Sequence, residues 1–297
     1  MTKRLRVLLA LLAAFALAAA ACGDDSDSGG ESSGGGDTPD GPTITIGAQD
    51  FGESAIMAEI YGQGLEASGY DVSQQELGGF RDIEIGAFES GDINFAPEYA
   101  ASMLEFLNDN AGEASGDIAE TAELLQGQLE GIDLTALEAT DAVDTNTFVV
   151  LPETAEEVGL ETLGDLGKEA FGLGAPQDCE TNPFCIPGLQ EVYDVDLSEN
   201  FTPLDAGVVA DALEAGEIDV AVLFSTSGII ADKGWVVLED DMNMLAADNI
   251  IPVVTAELVE AYGDDFVARV DEISATLNTE NVTELNRQFD IDKEDAA

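Results

Sequence analysis

Two stretches of this chain repeat one pattern, and that repetition restricts the fold more than any other feature. Residues 87–99 read AFESGDINFAPEY and residues 212–224 read ALEAGEIDVAVLF. Each runs from a helix-like segment to a glycine, Gly91 or Gly216. Each continues through an acid and an isoleucine into an apolar run that ends on an aromatic residue, Tyr99 or Phe224. Glycine stops a helix readily because it enters the left-handed region without a Cβ clash. The apolar run reads as a buried strand. The aromatic then falls at the carboxyl end of that strand, the edge of an open α/β sheet where ligands bind. A second echo precedes each stretch: ITIGAQD (44–50) resembles FGLGAPQD (171–178). The pattern predicts two similar α/β lobes offering strand-end loops to a shared cleft.

Along the chain, strands are expected at 44–46, 70–77, 147–151 and 235–238, and the apolar run 250–255, with Pro252, is expected to cross back between lobes. Ser54 is placed to cap a helix reaching about residue 67. Segments 100–107, 118–129 and 134–137 read as amphipathic surface helices. Helices are also expected at 208–215, 257–262 and 266–277, with a last short one at 285–289. The expected organisation is a leader at 1–21, a linker at 22–42, lobe I at 43–145, lobe II at 146–250, and a return to lobe I at 251–297. Hinge motion is expected near 144–147 and 250–253.

Charge narrows the partners. The formal net charge is −53, from 9 Lys and Arg against 62 Asp and Glu. Phosphate contacts need bases, so a nucleic-acid partner is excluded. Such self-repulsion weakens a compact state unless salt screens it, which points to a high-salt environment. The unfolding midpoint should then rise with added salt. Three of the bases, Lys3, Arg4 and Arg6, precede an apolar run at 7–21 that is short for a membrane span. Small residues at 19–21 lead to Cys22. This resembles a bacterial lipoprotein leader, with Ala19 where a large aliphatic residue is usual, and it implies lipidation of Cys22 on the outer face of the cell membrane. The Gly/Ser/Asp-rich segment 23–41 suits a flexible tether. Cys179 and Cys185, in an exported chain and six residues apart around a proline, suggest a local disulfide against the alternative of two free thiols.

The chain contains no histidine. Ser-His-Asp and Cys-His machinery and His-based zinc sites are therefore absent. No phosphate-cradling GxxxxGK[ST] or dinucleotide GxGxxG motif occurs. No catalytic residue, metal or cofactor is assigned.

Seven stretches in order, among them ITIGAQDFGESAIMAEIYGQGLEASGY, GDINFAPEY, TNTF, GAPQDCETNPFCIPGL and ALEAGEIDVAVLFSTSG, resemble the osmoprotectant-binding proteins of ABC importers for glycine betaine, choline and proline betaine. The resemblance spans about residues 43–290. It implies an α/β, two-lobed periplasmic-binding-protein fold of type II, with two crossovers and a cleft between lobes. It implies a non-enzymatic monomer that captures a quaternary amine and delivers it to an ABC permease and its ATPase. A quaternary ammonium cannot donate hydrogen bonds and is held by the negative faces of aromatic rings. The family's cage residues map onto Tyr99, Phe148 and Phe224, with Gln49, Asp50, Phe51, Asn146, Asn182 and Ser225 as neighbours. Two of the family's usual carboxylate partners are replaced here by Gln49 and Asn182. Arg81 is the expected substitute clamp for a ligand carboxylate; its alternative is a surface arginine paired with Asp82 or Glu84, leaving a solute without a carboxylate. Other small solutes such as amino acids, or a sensing role, remain the rival readings, with an exported enzyme disfavoured.

Overall fold

The computed structural model describes residues 40–293, 295 and 296. The leader, Cys22 and nearly all of the expected linker lie outside the described residues. Strands β1 (Ile44–Ala48), β2 (Val72–Glu76), β3 (Phe95–Tyr99) and β4 (Leu134–Ala136) belong to one lobe. The other lobe carries β5 (Asn146–Val150), β6 (Leu173–Ala175), β7 (Phe201–Pro203), β8 (Val220–Phe224) and β9 (Val236–Val237). Strand β10 (Ile250–Thr255) then returns to the first sheet.

The sheet orders are β2-β1-β3-β10-β4 and β7-β6-β8-β5-β9. Each has three parallel strands followed by an antiparallel one, so the echo in the sequence is an echo in topology. The antiparallel strand in each sheet is the one that crosses between lobes. Strand β10 begins opposite Tyr99, and β5 begins opposite Phe224. Both sheets are open, and together they form the type II two-lobed architecture. Gly91 and Gly216 have φ of 77° and 68°, the left-handed values that end their helices and turn the chain into β3 and β8.

Alternation along the strands divides each lobe's core between two sheet faces. In the first lobe Phe95, Ile250 and Val254 pack on one face, and Ala96, Ile251 and Val253 on the other. Phe95 is fully buried, with its ring 5.3 Å from that of Tyr61. In the second lobe Phe148, Val150 and Val222 face one way, Val149, Ala221 and Leu223 the other.

Three local expectations differ from the structure. Ser54 lies inside the helix Gly52–Glu66, whose N-cap is Phe51; its hydroxyl accepts from the Gln49 backbone N–H at 2.9 Å and braces the preceding loop. Residues 134–136 are the edge strand β4, because pairing with β10 satisfies their backbone while a four-residue segment closes hardly any helical hydrogen bond. The last helix is longer than expected, Thr279–Asp290, started by a reciprocal capping box between Asn278 and Asn281. That helix packs against Gly228 of the second lobe so closely that a Cβ there would lie 2.9 Å from the Arg287 Cα.

Candidate functional site

Between the lobes lies a cleft of about 1000 Å³, lined from both sides. Its centre is built by strand ends. At the end of β1 the chain turns through Gln49 and Asp50 to Phe51, which has extended backbone (φ −155°, ψ 156°) before the helix Gly52–Glu66. Phe80 occupies the equivalent N-cap of the helix Arg81–Ser90, after Gly78 at φ 65°. Tyr99 ends β3 and Phe224 ends β8. The Phe51 ring centroid lies 5.9 Å from Tyr99, 5.8 Å from Phe224 and 6.4 Å from Phe80. Phe51 is thus the hub of four rings, three from one lobe and one from the other. Such a cluster offers π faces to a cation.

Hydrogen bonds centred on Glu53 join the lobes. Tyr99 Oη donates to Glu53 Oε1 at 2.7 Å. Thr226 Oγ1 lies 2.6 Å from Glu53 Oε2 and 2.8 Å from Asp144 Oδ1, and Asn286 Nδ2 also donates to Glu53. Burial, and then the charge of Glu53, pushes Asp144 well above the usual carboxylate range. A protonated Asp144 can donate to the Thr226 hydroxyl, freeing that hydroxyl's single hydrogen for Glu53. Burial and Glu53 likewise raise the Tyr99 phenol, which stays a neutral donor.

A second cluster sits behind Arg81. Its Nε donates to Glu98 Oε1 and its Nη2 to Glu98 Oε2, both at 2.7 Å, in a two-pronged ion pair. Gln49 Nε2 donates to Glu98 Oε1 at 3.0 Å and to Glu84 Oε2 at 3.1 Å. Burial works against the Glu98 charge, but Arg81 outweighs it and holds that carboxyl below its ordinary value. Glu84 is pushed well above its ordinary 4.5 by burial and then by Glu98. A raised carboxyl favours the folded state below its unfolded value and loses that contribution as pH rises through its folded value. Glu84→Gln is therefore expected to raise the unfolding midpoint at about pH 8 and to leave it unchanged near pH 4. Thermal melts across that range check this; a loss of stability at alkaline pH would refute it.

Asp248, on the second crossover, accepts from the backbone N–H groups of Ala101 (2.8 Å) and Ser102 (3.1 Å) and from the Ser102 hydroxyl. It supplies the cap that the helix Ala100–Leu107 lacks locally. Burial carries its pKa up to about 6 despite these donors.

Of the residues expected at the site, Gln49, Asp50, Phe51, Arg81, Tyr99, Asn146, Asn182 and Phe224 line the cleft. Phe148 and Ser225 do not appear in its lining. Phe148 shares a strand face with Asn146 but lies two pairs deeper, opposite Val222, and is wholly buried in the second lobe's core. The Ser225 hydroxyl instead accepts from the Thr145 backbone N–H at 3.0 Å and anchors the first crossover. Asn146 Nδ2 donates to the Phe184 carbonyl at 3.3 Å, and Asn182 Oδ1 accepts from the Phe184 N–H at 2.8 Å. Both therefore brace the loop closed by the Cys179–Cys185 disulfide, whose Cα atoms are 5.2 Å apart. Arg81 pairs with neither Asp82 nor Glu84 but with Glu98.

Sequence reasoning missed Phe80, Glu53, Glu98, Thr226 and Asn286. Glu98 left a signal: it is the lone acid in FAPEY, a strand buried at every position, where an ionised group demands a partner.

Residues 42–297 match the OpuAC family model, described as the substrate binding domain of ABC-type glycine betaine transport system. The chain is 26% identical over 266 residues to a glycine-betaine-binding protein of Pseudomonas aeruginosa, covering 85% of this chain and 84% of that one. It is 25% identical over 254 residues to the carnitine transport binding protein OpuCC of Listeria monocytogenes, covering 84% and 81%. Among solved structures, a glycine betaine/carnitine/choline ABC transporter protein superposes with a TM-score of 0.68 at 24% identity, over 85% of this chain and 94% of that one. Apo YehZ of Escherichia coli gives 0.62 at 22%, over 86% and 94%.

Proposed function

The chain belongs to the family of substrate-binding domains of ABC-type glycine betaine transport systems, and on that premise we propose that its ring-lined cleft captures a quaternary-ammonium compatible solute outside the cytoplasm. The observation that carries this reading is the convergence of Phe51, Phe80, Tyr99 and Phe224 on one cleft rich in acids. The trimethylammonium group packs against the rings, and the surrounding carboxylates favour its charge. Closure of the lobes about the two crossovers buries the solute, and the loaded monomer docks on an ABC permease. The partner ATPase supplies the energy. Lipidation of Cys22 tethers the protein to the outer face of the membrane; Cys22→Ala should then release it into the medium.

A thermal-shift panel of glycine betaine, choline, carnitine, ectoine and amino acids tests the solute class. A bound quaternary amine at a hundred times its Kd stabilises by about 2.7 kcal/mol and should raise the midpoint by several degrees. A shift with amino acids alone, or with none of the panel, would overturn the proposal.

A further inference from the structure

We infer that Glu98 withdraws Arg81 from ligand binding, so that the site selects quaternary amines carrying a net positive charge over zwitterions that also carry a carboxylate. This rests on the reading of the cleft as a quaternary-amine site. A zwitterion must satisfy its anionic end as well, since a carboxylate desolvated without a partner is costly. Among the described residues, the cleft's lining holds seven Asp and one Glu against a single base, Arg81. That base already spends Nε and Nη2 on both oxygens of Glu98.

Glu98 is not a partner that a ligand easily displaces. Its side chain has no exposed surface, and it also accepts from the Tyr99 backbone N–H at 2.8 Å and from Gln49 Nε2. Gln49, the other donor at this end, is shared between Glu98 and Glu84. Asp248 adds a further carboxyl near Arg81. A ligand carboxylate would therefore share one guanidinium with a buried acid and face more acids around it. A cation with a neutral tail, such as choline, meets only the attractive part of that field.

Calorimetry with choline and glycine betaine on the full chain tests this. The wild type is expected to bind choline about tenfold or more tightly than betaine. Glu98→Gln keeps the side chain's shape, frees Arg81 for a carboxylate, and should raise betaine affinity about tenfold while choline gains nothing. A purely structural role for Glu98 would weaken both ligands together. The double variant Arg81→Met/Glu98→Gln removes the pair whole and serves also if the single variant fails to fold. Its choline-to-betaine ratio should stay within about twofold of wild type, whereas a ratio at least about tenfold larger would mean that Arg81 had been gripping betaine. Betaine binding as tightly as choline in the wild type, or an unchanged ratio in folded Glu98→Gln, would overturn the inference while leaving the quaternary-amine reading intact. Failure of both ligands to bind would overturn that reading, and this inference with it.

Discussion

Replacing Phe51 with alanine is expected to weaken quaternary-amine binding by about a hundredfold, the largest loss from any single ring. Phe51 alone approaches the other three rings, at 5.8–6.4 Å, so its removal deletes one π face and lets the remaining rings reorient. Ring pairs of this kind contribute about 0.5–1.5 kcal/mol each, beyond the direct contact with the ligand. Phe80→Ala should cost less, because that ring is 44% exposed and approaches only Phe51. Phe51→Tyr should retain most of the affinity. Titration by calorimetry reads these effects, and a neutral carbon isostere of choline separates cation–π attraction from simple apolar packing. Equal binding of choline and its neutral isostere, or a loss below about twofold in Phe51→Ala, would remove the rings from the recognition event.

Arg81→Met should destabilise the fold by about 3 kcal/mol near pH 8, because it strands Glu98 as an uncompensated buried charge. For a chain of this size that corresponds to roughly 10 °C in unfolding midpoint. The pH dependence identifies the cause. In the wild type, Arg81 overcomes the cost of burial and holds Glu98 below its ordinary 4.5, a contribution present above that value and lost as pH falls. Without Arg81, burial dominates, the Glu98 carboxyl moves up, and the folded state prefers it protonated. The deficit should therefore shrink on acidification. Glu84 and Asp248 face the same cluster and strengthen this trend. Adding Glu98→Gln to Arg81→Met should recover much of the loss, since removing a buried pair costs less than breaking it. A deficit independent of pH would point to lost packing of the Arg81 stem instead.

The two lobes, their paired helix-glycine-strand units, and the placing of Tyr99 and Phe224 at strand ends were legible in the sequence. Those features rest on local physics: a left-handed glycine ends a helix, and an apolar run of strand length pairs in a sheet. The apolar run 250–255 was legible as the return crossing, and in the structure it is the strand Ile250–Thr255. Which other aromatic rings line the cleft was not legible. Phe148 and Asn146 share a strand face, and only the packing of distant segments within the second lobe determines that Phe148 is buried in its core while Asn146 lines the cleft. Phe80 gave no periodic signal, because it stands alone after two glycines.

The charge pattern of the site was the least legible part. Among 62 Asp and Glu, nothing in the linear order says that Arg81 meets Glu98, 17 residues on, or that Glu53 meets Thr226, 173 residues on. Lobe count and most of the secondary structure follow from neighbours along the chain, so the sequence alone determined them; residues 134–136 became a strand only through pairing with the distant β10. Which acid neutralises which base depends on separations of a few ångströms in a low-dielectric interior, and these exist only once distant segments have packed together.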